Sequence, residues 1–124
     1  MAWVVDTISD KSKETIITAI AVSAEAAATI VDASTLLGNA GAGTEVLDIA
    51  AISWNGSAAI TLEFDATSND PAMVLTGSGE IGWSDGIPMV RTNPKGSGYT
   101  GDIVATAAGS AIISVKLRKR EGYS

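Results

Sequence analysis

The stretch Glu45 to Asp65, EVLDIAAISW-NG-SAAITLEFD, constrains this chain more than any other. Asn55-Gly56 is a strong hairpin signal, because a type I′ turn needs positive φ at both central residues. A two-residue loop there sets the register, with Trp54 opposite Ser57, Ser53 opposite Ala58 and Ile52 opposite Ala59. One face then carries Leu47, Ile49, Ala51 and Ser53 with Phe64, Leu62, Ile60 and Ala58, which reads as a core face. The other carries Asp48, Ala50, Ile52 and Trp54 with Glu63, Thr61, Ala59 and Ser57. A slip of one residue would exchange the faces, so turn and pattern support one another.

Other short apolar runs flank this stretch. Val, Thr and Ile alternate from Ala2 to Ser9, a first strand, and the polar DKSK turn at 10–13 follows. Glu14 to Ser23 carries Ile16, Thr18, Ile20 and Val22 on one face and Ile17, Ala19 and Ala21 on the other, a strand buried on both sides. Ala24 to Ala28 has helix propensity, but the β-branched run Thr29-Ile30-Val31 follows. A hairpin connection into a strand at Ala27 to Ala33 and a short helix both remain open. Leu36 to Thr44 is a Gly-rich loop. Further strands are expected at Ala72 to Thr76, Glu80 to Trp83, Tyr99 to Ala107 and Ala111 to Arg120. Turns are expected at 67–71, 77–79 and 84–86, a brief edge segment at Pro88 to Val90, and an exposed loop at 91–98. Short strands with regularly spaced turn signals argue an all-β fold: a single antiparallel β-sandwich, jelly-roll-like, over residues 1–124.

Of 124 residues only 18% are charged, and the net charge is −6. Phosphate binding needs clustered cations, so nucleic acid is not an expected partner. The chain has no Cys and no His. Thiolate chemistry, disulfides and a Ser-His-Asp triad are therefore excluded, along with the commonest metal ligand. The first residues lack the basic and apolar regions of a signal peptide. No apolar run is long enough to span a bilayer, and no membrane partner is expected.

Three patterns resemble sites. Lys95-Gly96-Ser97-Gly98 has glycines for a phosphate cradle but neither the spacing nor the following helix of a P-loop. Asp48 and Glu63 fall opposite each other in the hairpin register, yet two carboxylates on a flat strand pair make a poor cation site. Asn55-Gly56-Ser57 fits a glycosylation acceptor, but the turn explains it better. No catalytic, cofactor or metal residue is assigned, and the chain does not read as an enzyme.

Half of the basic residues lie in the last strand, at Lys116, Arg118, Lys119 and Arg120. Ile113, Val115 and Leu117 point one way there; Ser114, Lys116, Arg118 and Arg120 point the other. Such a cationic row is either a solvated face that blunts a sheet edge or a contact for an acidic surface. The apolar outer face of the central hairpin, with Ile52 and Trp54, is either covered by a second sheet or an interface. Trp3 and Trp83 are open to the same two readings.

Gly79 to Arg120, GEIGWSDGIPMVRTNPKGSGYTGDIVAT followed by AIISVKLRKR, resembles small virion structural proteins of tailed phages, particularly those of marine and cyanobacterial hosts. Gly101, Asp102, Ile103 and Thr106 carry the resemblance, then Ile113, Val115, Leu117 and Lys119. The opening Trp3 to Thr7 and the segment Ile30 to Ser34 share it. The short Ala-Ala-Gly-Ser-Ala connection departs from it, since similar chains often have a longer polar insertion and an aromatic residue there. The resemblance implies a head decoration (cement) protein on the capsid surface, or a neck, tail or fibre-associated component. Its partners would be the major capsid protein and further copies of itself, as a homotrimer at a symmetry axis. Lys116, Arg118, Lys119 and Arg120 are then expected to meet acidic capsid surface, and Ile52 and Trp54 to make an apolar contact. A glycan-binding module using Trp54, Trp83 or Tyr99 is the rival of a different class.

Overall fold

In the computed structural model, which describes residues 2–39, 45–87, 89–96 and 98–123, nine strands form two antiparallel sheets. In chain order they are β1 (Val4–Asp10), β2 (Glu14–Ala21), β3 (Glu25–Val31), β4 (Val46–Gly56), β5 (Ile60–Phe64), β6 (Asp70–Leu75), β7 (Ser78–Ile81), β8 (Ile103–Ala107) and β9 (Ala111–Glu121). One sheet has the order β1-β2-β9-β4-β7, the other β3-β8-β5-β6. A 3₁₀ turn at Ala33–Thr35 follows β3, capped by Asp32, whose carboxylate accepts from the Ser34 N–H.

The pairings identify the winding. β2 pairs with β9, β3 with β8, β4 with β7 and β5 with β6. Those four pairs are the rungs of one long hairpin rolled around a core. β4 against β9 and β5 against β8 close the roll. This is the jelly roll, a sandwich of eight strands in two Greek keys, with β1 added outside β2. The core between the sheets holds Ile17, Ile30, Leu47, Ile49, Ile52, Ile60, Leu62, Phe64, Leu75, Ile103, Ile113, Val115 and Leu117. Each such side chain contributes about 1.5–3 kcal/mol on burial. Trp3 is also a core residue, with its indole N–H buried and, among the described residues, without a partner.

The expected hairpin at Asn55-Gly56 does not form. β4 and β5 lie in different sheets, and neither Asn55 nor Gly56 has a positive φ. The chain stays extended there because neighbours flank it on both sides. Asn55 pairs with Ile112 and Ser78, and Gly56 pairs with Ala111. The glycine serves the crossing to the second sheet: a Cβ at Gly56 would lie 2.9 Å from the Ala58 carbonyl and 3.1 Å from the Ile60 side chain. Asp48 and Glu63 are consequently not opposite each other.

The expected faces also change partway along β4. A bulge at Ala50 shifts the register against β9, and an extra residue exchanges which side chains point inward. Leu47 and Ile49 face the core as expected. Beyond the bulge it is Ile52, not Ala51, that enters the core cluster. Ala51 is buried on the other side beneath Gly82, whose own Cβ, at φ +90°, would lie 3.1 Å from that of Ala51.

Other differences are smaller. β2 buries only the Thr15, Ile17, Ala19 and Ala21 face, and Ile16, Thr18 and Ile20 face outward. No helix forms at 24–28; the chain arches into β3 of the other sheet. Ser78 and Gly79 belong to β7 rather than a turn, and β8 starts at Ile103 rather than Tyr99. Pro71 sits in β6, an edge strand, where a missing N–H is tolerated. Residues 40–44 of the expected Gly-rich loop, Pro88 of the expected edge segment and Ser97 of the Gly-Ser-Gly stretch lie outside the described residues.

Candidate interaction face

β9 lies between β2 and β4, and its alternation follows the sequence pattern. Ile113, Val115 and Leu117 are fully buried, while Ser114, Lys116, Arg118 and Arg120 lie on the opposite side. The four cations divide into two pairs with different work.

Lys119 lies on the inward side, and its side chain is 0% exposed. Its ammonium donates to Asp10 Oδ1 at 2.6 Å, to the Lys11 carbonyl at 2.6 Å and to the Leu37 carbonyl at 2.7 Å. All three protons are used, so the buried charge is compensated. The Tyr123 ring lies 5.1 Å from the ammonium. Burial of that tyrosine, then the carboxylates of Glu45 and Asp10, push its hydroxyl well above the usual phenol range. Arg120 donates from Nη2 to the Asn93 carbonyl at 2.5 Å, and its Nε lies 3.2 Å from Asp48 Oδ2. Asp48 is buried and also accepts from the Asn93 N–H at 2.8 Å. This group fastens the long β7–β8 connection across β4. Lys119 is thus an internal clamp, a correction to its expected place on a contact surface, and Arg120 is a partly exposed clamp. Their partners are distant in sequence, so spacing gave no sign of them.

The expected apolar contact is corrected at Ile52. Ile52 is 0% exposed in the core and has no surface to offer. Trp54 is half-buried, donates its indole N–H to the Thr76 carbonyl at 3.0 Å, and lies flat over Gly79. It locks β4 to β7.

Lys116 and Arg118 remain. Arg118 is exposed, between Glu14 of β2 and Asp48 of β4. Lys116 is half-buried, its ammonium 5.7 Å from the centre of the Trp83 ring. They form one end of the outer face of the five-stranded sheet. The register gives the rest of that face in rows. Ile16, Lys116 and Ala51 come next to Glu14 and Arg118. A hydroxyl row follows with Asp6, Thr18, Ser114 and Ser53, in which Thr18 and Ser114 are joined by a 3.2 Å hydrogen bond. The far row is Val4, Ile20, Ile112 and Asn55. Val4, Ile20 and Ile112 are exposed, and so is Val22 just beyond. Sequence reasoning missed this apolar corner. The signal was the tandem Ile112-Ile113, which puts a large aliphatic on both faces of β9.

The other patterns are occupied by structure. Lys95 pairs with Glu121 at 2.6 Å, which holds that carboxyl below its usual range, so Lys95 is no free phosphate ligand. Asp102 accepts from the Ala33 N–H at 2.8 Å; burial nonetheless raises its carboxyl above the usual range. Tyr99 donates to Asp70 Oδ2 at 3.1 Å. Among the described residues no cluster of three acidic side chains could hold a metal ion. No family model, curated protein or solved structure matches this chain.

Proposed function

We propose that this chain is a virion structural protein of a tailed phage: a head decoration (cement) protein that binds the outer shell and bridges capsid subunits. The observation that carries this reading is the outer face of the five-stranded sheet. It grades from an apolar corner, through a hydroxyl row, to the cations Lys116 and Arg118. That face is broad, open and chemically mixed, which suits docking on another protein. The fold supports the reading weakly, since jelly rolls occur in viral capsid and lectin domains alike. The likeness of Gly79 to Arg120 to phage virion proteins supports it further. Lys116 and Arg118 then meet acidic capsid surface, and many weak contacts repeated over a lattice reinforce one another.

Copy number is the test. Mass spectrometry of purified virions, scaled to the major capsid protein, is expected to give a stoichiometry comparable to that protein. A few copies per particle would move the chain to the neck or tail, and absence would end the reading. The double variant Lys116→Gln, Arg118→Gln adds no carboxylate to the row that holds Glu14 and Asp48; it is expected to fold normally, within about 1 kcal/mol of the parent, and to lose occupancy of the shell. Unchanged occupancy would remove the basic end from the interface.

A further inference from the structure

The five-stranded sheet covers a four-stranded one. β2 stands over β3, and among the described residues no strand lies beneath β1. The inner side chains of β1, Val5 and Thr7, therefore overhang the open edge of β3. Below them is a cleft of about 220 Å³ lined by Val5, Thr7, Ile17, Thr29, Val31 and Leu36. Val4 to Ile8 are all exposed, although the strand is rich in Val, Thr and Ile, residues that favour a packed sheet. β3 is equally open: Ala26 to Thr29 are exposed, and from Ala26 to Val31 it carries no charge and no Pro. Natural edges are normally guarded by charges, proline, bulges or a cover; here the guards are bulges, at Ile8 in β1 and twice in β3.

We infer that this stepped edge joins two copies of the chain about a two-fold axis. β1 runs antiparallel to β2, and the link 22–24 reverses the chain into β3, so β1 and β3 run the same way. A two-fold parallel to them, midway between the sheets, exchanges the layers. The overhanging β1 of each copy then enters the place beside β3 of the other. Two continuous nine-stranded layers result, each of five strands from one copy and four from its mate. The step is its own complement, the condition for an isologous contact.

Area and charge agree with this occupant. The seven-residue strands make an edge about 23 Å long. With the sandwich thickness this gives a footprint on the order of 500 Å² per copy. The total of about 1,000 Å² stands at the threshold for a specific interface, before the lapped surfaces are added. Asp6 of β1 meets an uncharged stretch of β3. Pairing β1 with a second β1 would instead leave Val5 and Thr7 uncovered, with a gap beneath. The inference does not depend on the capsid reading, and either can fail alone.

Light scattering on the purified chain is expected to give the mass of a dimer. Val5→Lys and Ala28→Lys, one on each side of the step, should each weaken the dimer at least about tenfold by burying an unpaired charge. Val74→Lys, on the exposed face of β6 at the opposite edge, should leave it unchanged. The chain has no cysteine of its own, so single cysteines report the pairing whatever the lysine variants do. The axis preserves height along the strands and stacks β1 of one copy over β1 of the other, so the two inward-facing Thr7 side chains meet across the joint, while Thr29 lies with Val104 on the outer side of its sheet. Thr7→Cys alone should therefore cross-link to itself through a short bis-maleimide, and Thr29→Cys should not. A monomer, a trimer, or cross-linking through Thr29→Cys in place of Thr7→Cys would overturn the inference.

Discussion

The two lateral edges of this sandwich are finished differently. At the β6/β7 edge, β6 contains Pro71, and β7 is only four residues long and lies under Trp54. The β7–β8 connection continues along β4 where β7 stops: Ile49 and Arg91 exchange backbone hydrogen bonds of 2.8 and 3.0 Å. Asp48 and Arg120 pin that cover in place. At the β1/β3 edge two seven-residue strands end in open backbone and exposed aliphatics. Both edges are made of the same short apolar strands. The closed edge has a proline, a very short strand and a cover; the open edge has bulges, at Ile8 in β1 and twice in β3, but no cover among the described residues, so it is the one better suited to a partner.

The largest effect is expected where the open edge is anchored. Lys119 ties Asp10, Lys11 and Leu37 to the central strand with a fully buried ammonium. Lys119→Ala leaves the Asp10 carboxylate and two carbonyls without that donor, and is expected to cost about 3–5 kcal/mol in denaturant unfolding. Hydrogen exchange should show β1 opening first. If β4 and β1 lost protection equally, the clamp would serve the whole core and not the edge.

The closed edge should respond more mildly. Asp48→Ala removes the acceptor for the Asn93 N–H and the charge beside Arg120. Arg120 is partly exposed and can turn to water, so the expected loss is about 1.5–3 kcal/mol. Exchange should quicken at the Ile49 and Arg91 amides while β1 and β3 keep their rates. Protection unchanged at Ile49 would mean that the cover holds without its ion pair.

How much of this was legible follows from how local each signal is. Strand alternation is local, and β2, β5 and β9 fall close to where the pattern puts them. Asn55-Gly56 misleads because its local preference for a turn is outweighed by β9 and β7 pairing alongside it, contacts set by residues more than twenty positions away. One inserted residue at Ala50 then moves Ile52 from the hairpin face expected to be the outer one into the core. The basic strand shows the same limit. The outward direction of Lys116 and Arg118 is periodicity, whereas the burial of Lys119 depends on Asp10, 109 residues earlier in the chain. The step between the sheets could not be read at all, because it is a count of strands per sheet and not a property of any strand.

A finer test of the open edge lies at the end of β3. Asp102, just before β8, accepts from the Ala33 N–H and so ties down the residue that leaves β3. Its carboxyl titrates above the usual range because burial opposes the charge, and nearby Asp32, Asp65 and Glu45 oppose it too, against the help of the Ala33 N–H. The folded state therefore binds this proton more tightly than the unfolded chain. The sign follows: stability from this group is greatest in acid, and is lost as pH rises from the unfolded carboxyl value through the higher folded one. Glu121 and Asp85, whose carboxyls are lowered, act in the opposite direction. An asparagine at 102 keeps an acceptor for Ala33 and stays neutral at every pH. Asp102→Asn is thus expected to unfold at slightly higher urea at pH 7, by less than about 1 kcal/mol, with the gain vanishing below the ordinary aspartate range. A loss of stability at pH 7 would instead mean that the charge on Asp102 strengthens its bond to Ala33 by more than its burial costs, making it a charged anchor for the open edge.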